Sequence, residues 1–147
     1  MRLTVKTILA VRTLTLCAAH EGETLRKAQI AEACDASKAH LGLVINQLAQ
    51  TGYIKTIRGR RGGLRLARPA DEIDVGQVFR DFESEFPISS CFTKRAENCP
   101  SGPECALKRI LAAARDSFFA AMDGIPLSDL VDGKFTLENL LGEDALV

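Results

Sequence analysis

Tyr53-Ile54-Lys55-Thr56-Ile57-Arg58-Gly59-Arg60-Arg61-Gly62-Gly63-Leu64-Arg65-Leu66-Ala67 is the stretch that decides the fold. Tyr53 to Arg58 and Leu64 to Ala67 alternate apolar and polar residues, the period of a strand with one covered face. The five residues between them hold three glycines and two arginines, which suits a tight hairpin tip and no regular element. From Lys55 to Arg68 there are six basic residues and no acidic one. A two-stranded hairpin tipped with guanidinium groups reads as a wing, able to reach phosphates or a narrow minor groove through Arg58, Arg60, Arg61 and Arg65.

The residues upstream supply the rest of a winged helix-turn-helix. Thr4 is placed to cap a first helix running to about Ala19, with Ile8, Val11, Leu14 and Ala18 at helical spacing. A second helix is expected from about Leu25 to Cys34. Ser37 then caps a third, running to about Gln50 with the apolar stripe Leu41, Val44, Ile45 and Leu48. In this pattern the later helix of the pair lies in the major groove. Ser37, Lys38 and His40 at its start are therefore the candidate base readers, with Asn46 and Gln47 open between base contact and plain solvation. Some 6–10 phosphate contacts from such a surface make affinity fall by about 10³–10⁵ between 50 and 200 mM salt.

The formal charge of zero over 147 residues conceals a division. Residues 1–70 carry twelve basic and four acidic side chains, whereas residues 71–147 carry seven and fifteen. A basic half joined to an acidic half fits a nucleic-acid-binding domain with a separate sensing or pairing part. No apolar run resembles a secretory leader or a membrane span, and five cysteines is an odd number, so a reducing cytoplasm is the expected compartment. The chain has no closely spaced Cys–His pair, no phosphate-binding glycine loop between a strand and a helix, and no recognisable carboxylate pair, so it is not expected to be an enzyme.

In the acidic half, Asp74 and Gln77 form a D-x-x-Q capping box ahead of Val78, Phe79 and Phe82, so a fourth helix starts near Val75. Pro103 fits the first turn of a further helix, in which Leu107, Ile110, Leu111, Ala114, Phe118, Ala121 and Met122 recur at i+3/i+4 spacing until Gly124 and Pro126 end it. Twenty residues give about 30 Å of helix. Its apolar seam needs a partner, most simply the same helix of a second copy, the alternative being short helices of its own chain near Leu127–Val131 and Thr136–Leu141. A homodimer with two-fold symmetry reads a near-palindromic double-stranded site. The fold class is thus mainly α with a small β-hairpin, divided as residues 1–83 for DNA binding, 84–105 as a cysteine loop, and 106–147 for dimerisation.

Cys91, Cys99 and Cys105 are spaced C-x7-C-x5-C in a stretch with three prolines and a glycine. Three soft thiolates on one loop suit iron–sulfur or zinc chemistry, and zinc prefers a closed fourth position. The same cysteines without metal would suit an oxidant-sensing regulator. Cys17 and Cys34 read as small buried hydrophobes.

Taken together, Met1-Arg2-Leu3-Thr4, the wing from Ile57 to Leu66 and the three-cysteine loop resemble the Rrf2 family of winged-helix regulators, over nearly the whole chain and most weakly after Gly124. Ser37-Lys38-Ala39-His40-Leu41 with Asn46-Gln47-Leu48 is similar to the third helix of its nitric-oxide-sensing members. The resemblance implies an iron–sulfur cluster on Cys91, Cys99 and Cys105, with Arg2 added to the DNA-contacting set. It implies 4Fe–4S rather than 2Fe–2S, because the 2Fe–2S members carry a histidine ligand where this chain has Leu107. It also implies a repressor of nitric-oxide detoxification genes, with an iron-responsive regulator or a cluster-free thiol sensor as alternatives. One departure stands out. The family's nitric-oxide sensors can supply an aspartate ligand from the first helix of the partner, at the position held here by Ile8, which cannot coordinate iron. Glu97, Glu104, a water or a small exogenous ligand is left for that place. Arg12 matches an arginine the family has near the cluster, or is an ordinary helix-surface charge.

Overall fold

A computed structural model describes residues 3–60, 62–83 and 105–131 of the chain. The order of elements is α1 (Val5–Ala19), α2 (Lys27–Ala33), α3 (Lys38–Gln50), β1 (Ile54–Ile57), β2 (Gly63–Leu66), a 3₁₀ turn (Ala70–Glu72), α4 (Val75–Phe82), α5 (Ala106–Ala120) and α6 (Leu127–Val131). Each helix start has a visible cause. The Thr4 hydroxyl accepts from the Thr7 N–H at the head of α1, and the Ser37 hydroxyl accepts from the His40 N–H at the head of α3.

The second helix begins two residues later than its periodicity suggests. Leu25 is taken by the sheet, where its N–H donates to the Leu64 carbonyl and its carbonyl accepts from the Leu64 N–H at 2.9–3.0 Å. The helix then starts behind Arg26, whose N–H donates to the Gln29 side chain at 2.8 Å. Cys34, Asp35 and Ala36 make the turn into α3, with Asp35 in the left-handed region at φ 50°, a conformation a short polar side chain tolerates.

The hairpin is antiparallel, pairing Ile54 with Leu66, Lys55 with Arg65, Thr56 with Leu64 and Ile57 with Gly63. Ile54 and Leu64 are buried beneath it. The stripe of α3 (Leu41, Val44, Ile45, Leu48) lies against α1, α2 and β1, and none of the four is more than 8% exposed. Full burial of four such side chains contributes about 6–12 kcal/mol of hydrophobic free energy, so this helix is fixed by its inner face and free to present its outer one.

In α4 the expected capping box is half formed. Asp74 accepts from the Gln77 N–H at 2.8 Å, but the Gln77 side chain turns to Asp81 instead of returning to Asp74. The α5 helix has 15 residues and starts at Ala106, shorter than the twenty expected, while Pro103 and the helix expected at Thr136–Leu141 lie outside the described residues. Leu107 and Ile110 on α5 are 56% and 64% exposed. The α6 helix forms where expected, but it packs mainly on α1 and the 3₁₀ turn, so among the described residues it leaves that part of the α5 seam uncovered.

Candidate nucleic-acid interface and the anchor of the cysteine loop

The outer face of α3 presents Lys38, Ala39, Leu43, Asn46 and Gln50, all exposed, with His40 half-buried beside them. Ser37, expected as a base reader, uses its hydroxyl to cap the helix. The two residues left open part company: Asn46 is exposed, whereas the Gln47 side chain turns inward and donates to the Asp81 carbonyl at 2.8 Å. Sequence reasoning missed Lys27. Its ammonium lies over Gly42, where a Cβ would come within 2.7 Å of Nζ, so the glycine leaves room for a cation beside the recognition helix.

At the wing, Gly59 adopts φ +106° and its carbonyl accepts from the Gly62 N–H, which closes the tip and leaves Arg58 and Arg60 exposed. Arg65 sits at the wing's base, half-buried against the end of α1. Arg2 and Arg61 lie outside the described residues.

The three candidate metal ligands are divided as well. Cys105, half-buried, immediately precedes α5, while Cys91, Cys99, Glu97 and Glu104 lie outside the described residues. Among the described residues no three His, Cys, Asp or Glu side chains converge on a metal site. Cys17 and Cys34 are buried in the core, and burial pushes both thiols up, Cys17 to about 11. Both pack there as small hydrophobic side chains. On α1, Ile8 is half-buried and Arg12 exposed.

The last turn of α4 and its cap, directly ahead of residues 84–104, bond to α1, to Tyr53 and Gln47, and to the end of α5. Glu83 is buried, and its carboxylate accepts from the Thr4 N–H at 2.7 Å and from the Thr7 hydroxyl, tying the loop's entry to the head of α1. Asp81 accepts from the Tyr53 hydroxyl at 2.6 Å, and its carbonyl holds Gln47 of α3. Burial, reinforced by Asp81, pushes the Tyr53 hydroxyl up, so it stays a donor. Arg80 forms a two-pronged ion pair with Asp123, just beyond α5, and lies 5.4 Å from the Phe119 ring centre. The Arg80 hydrogen bond holds the Asp123 carboxyl below the usual carboxylate range. Asp74, at the other end of α4, accepts from the Gly124 N–H at 2.6 Å. Neither Glu83 nor Asp81 was legible as a joint, because their partners lie between 28 and 79 residues away along the chain.

Comparison with known proteins agrees with this architecture. The family described as "Rrf2: Iron-dependent Transcriptional regulator" matches residues 3–133. The HTH-type transcriptional regulator NsrR of Bacillus subtilis (strain 168) is 41% identical over 142 residues, covering 96% of this chain and 97% of its own. Among solved structures, T. potens IscR superposes with a TM-score of 0.72 at 24% identity, covering 92% of this chain and 89% of its own. The oxidized form of Staphylococcus aureus CymR does so with a TM-score of 0.71 at 26% identity, covering 90% and 97%. The likeness to T. potens IscR establishes the fold alone. The match to the family over most of the chain, with the identity to NsrR across nearly all of it, establishes more: the chain belongs to the Rrf2 family of DNA-binding transcriptional regulators and is not an enzyme.

Proposed function

We propose that this regulator is a homodimeric repressor whose grip on DNA is set by an iron–sulfur cluster, 4Fe–4S in preference to 2Fe–2S, responding to nitric oxide. The cluster would be held by Cys91, Cys99 and Cys105. When bound there, it would supply an iron site able to react with nitric oxide, a chemistry no side chain offers. Ile8 leaves the fourth position to a group other than an α1 carboxylate. Lys38, His40, Arg58, Arg60 and Arg61, with Arg2 and the newly found Lys27, form the DNA-facing set, and Ser37 orients it by capping α3. A near-palindromic double-stranded operator follows from two-fold pairing.

The observation that carries the reading is the hub at the end of α4. One turn of helix joins the entry of the cysteine loop (Glu83) to α1, to the wing and recognition helix (through Asp81), and to α5 (through Arg80). Gain or loss of the cluster would be passed to the reading head and to α5 through these joints, the kind of coupling a switch requires. Moving DNA occupancy from nearly full to nearly empty requires the two states to differ by about 5.5 kcal/mol in DNA binding. Loss of register between two reading heads would leave only non-specific binding, which is generally weaker than specific binding by about 4–10 kcal/mol, enough to supply that difference. The exposed Leu107 and Ile110 support α5 as the pairing surface. The likeness of Ser37–Leu41 and Asn46–Leu48 to the third helix of the family's nitric-oxide-sensing members supports nitric oxide as the signal, and the family's description as iron-dependent keeps an iron-responsive regulator as the alternative.

Cys99→Ala tests the coupling. The variant is expected to lose cluster absorbance and to bind its operator only weakly, with steep salt dependence and little preference over random duplex. Specific binding equal to that of the wild type would refute the proposal.

A further inference from the structure

Between the C-terminal end of α1 and the base of the wing lies a cavity of about 320 Å³, whose lining includes Cys17, Glu21, Lys55, Arg65, Arg68 and Pro69. Three of these side chains are cationic and one is anionic. Lys55 and Arg65 are direct cross-strand partners, a position at which like charges repel. The Arg65 Nε is enclosed and, among the described residues, has no hydrogen-bond acceptor, an unusual state for a buried donor. Glu21, the one carboxylate at hand, forms no ion pair with any of the three cations. The Arg68 guanidinium is steadied 5.3 Å from the centre of the Tyr53 ring. The Cys17 thiol is neutral near pH 7, as an unperturbed thiol would be, so that wall adds no negative charge.

Two cations on directly opposed strand positions, with a third lining the same cavity, make a concave cationic site. The planar fork of arginine matches oxyanions, phosphate above all. We propose that this cavity binds a phosphate-class anion, donated to by Arg65 and Lys55, which braces the base of the wing against α1. The ligand is a free phosphate or phosphate monoester, distinct from the DNA phosphates expected to meet the exposed arginines of the wing tip. The proposal does not depend on the cysteine loop or on what signal it receives.

The test uses the full-length protein and inorganic phosphate, titrated against chloride at constant ionic strength while thermal unfolding is followed. Duplex DNA binding is measured in parallel as a function of salt. The wild type is expected to show a saturable rise in Tm of about 3–5 °C at tenfold excess over Kd, and Arg65→Met and Lys55→Met to lose it. Persistence of duplex binding at saturating phosphate supports a separate site for a free anion. Competition between phosphate and duplex at constant ionic strength overturns it, because the cavity is then an ordinary contact of the wing with a DNA phosphate. The idea is overturned as well if wild type and both variants respond identically to phosphate; a non-saturating response common to all three is the general stabilisation by excluded salts.

Discussion

Glu83→Ala removes the carboxylate that fastens the entry of the cysteine loop to the head of α1. Glu83 is 6% exposed and Thr7 fully buried, so the bonds between them are shielded from water. A hydrogen bond to a charged group contributes about 1.5–3 kcal/mol, and Glu83 accepts two. Their sum overstates the loss. The Thr7 hydroxyl keeps the Thr4 hydroxyl as a neighbour at 2.8 Å, and the freed Thr4 N–H sits at an exposed helix end that water can reach. A net destabilisation of about 2–3 kcal/mol is expected, or about 5–10 °C in Tm for a chain of this size. Glu83→Gln keeps one carbonyl acceptor and loses the charge, so about 1 kcal/mol is expected. Urea denaturation followed by circular dichroism measures both, and amide exchange at Thr7, whose N–H donates to Thr4, locates the effect. A Glu83→Ala variant within 0.5 kcal/mol of the wild type would behave like an ordinary surface substitution and refute the joint.

Other consequences follow from the same geometry. Gly76→Ala places a methyl group within 3.0 Å of the Met122 and Asp123 backbone, so despite a helix-propensity gain of about 1 kcal/mol it should destabilise by roughly 1–2 kcal/mol and loosen the Arg80–Asp123 pair, measurable by thermal unfolding. Arg60→Ala should weaken binding to every duplex sequence about equally and reduce the salt slope by about one, as fluorescence anisotropy at several salt concentrations would show. The Cys17 thiol titrates near 11 in the folded chain and about 8.5 unfolded, so between those values the native state holds the extra proton and stability falls as pH rises. Cys34, also pushed up by burial, shares the earlier part of that fall, and Tyr53 adds to it at higher pH; Cys17→Ala should remove the share Cys17 carries, about 2 kcal/mol in urea denaturation at pH 10–11.

The helices and the wing were legible because their causes are local. Ser37, Thr4 and Asp74 cap within three residues, the α3 stripe repeats within one helix, and a glycine-rich tip separates two alternating strands. What escaped detection was decided at long range. Leu25 has the character of a helix residue, but the Leu64 backbone claims it for the sheet. Gln77 has the spacing of a capping-box residue, yet Asp81 outcompetes the Asp74 backbone for its side chain. Gln47 faces inward because Asp81 offers a carbonyl. Glu83 reads as one more acid in an acidic half, and only the folded chain brings Thr4 and Thr7 to it. The cation at Gly42 comes from Lys27, on the preceding helix, and no pattern along the chain marks it.

The most direct test is to purify the protein without oxygen, quantify iron and inorganic sulfide, and follow visible absorbance and operator binding together through a nitric-oxide titration. The account predicts stoichiometric iron and sulfide, and parallel loss of the cluster's spectrum and of specific binding. Material free of both elements that resists reconstitution, or operator affinity unmoved by nitric oxide while the spectrum changes, would contradict it.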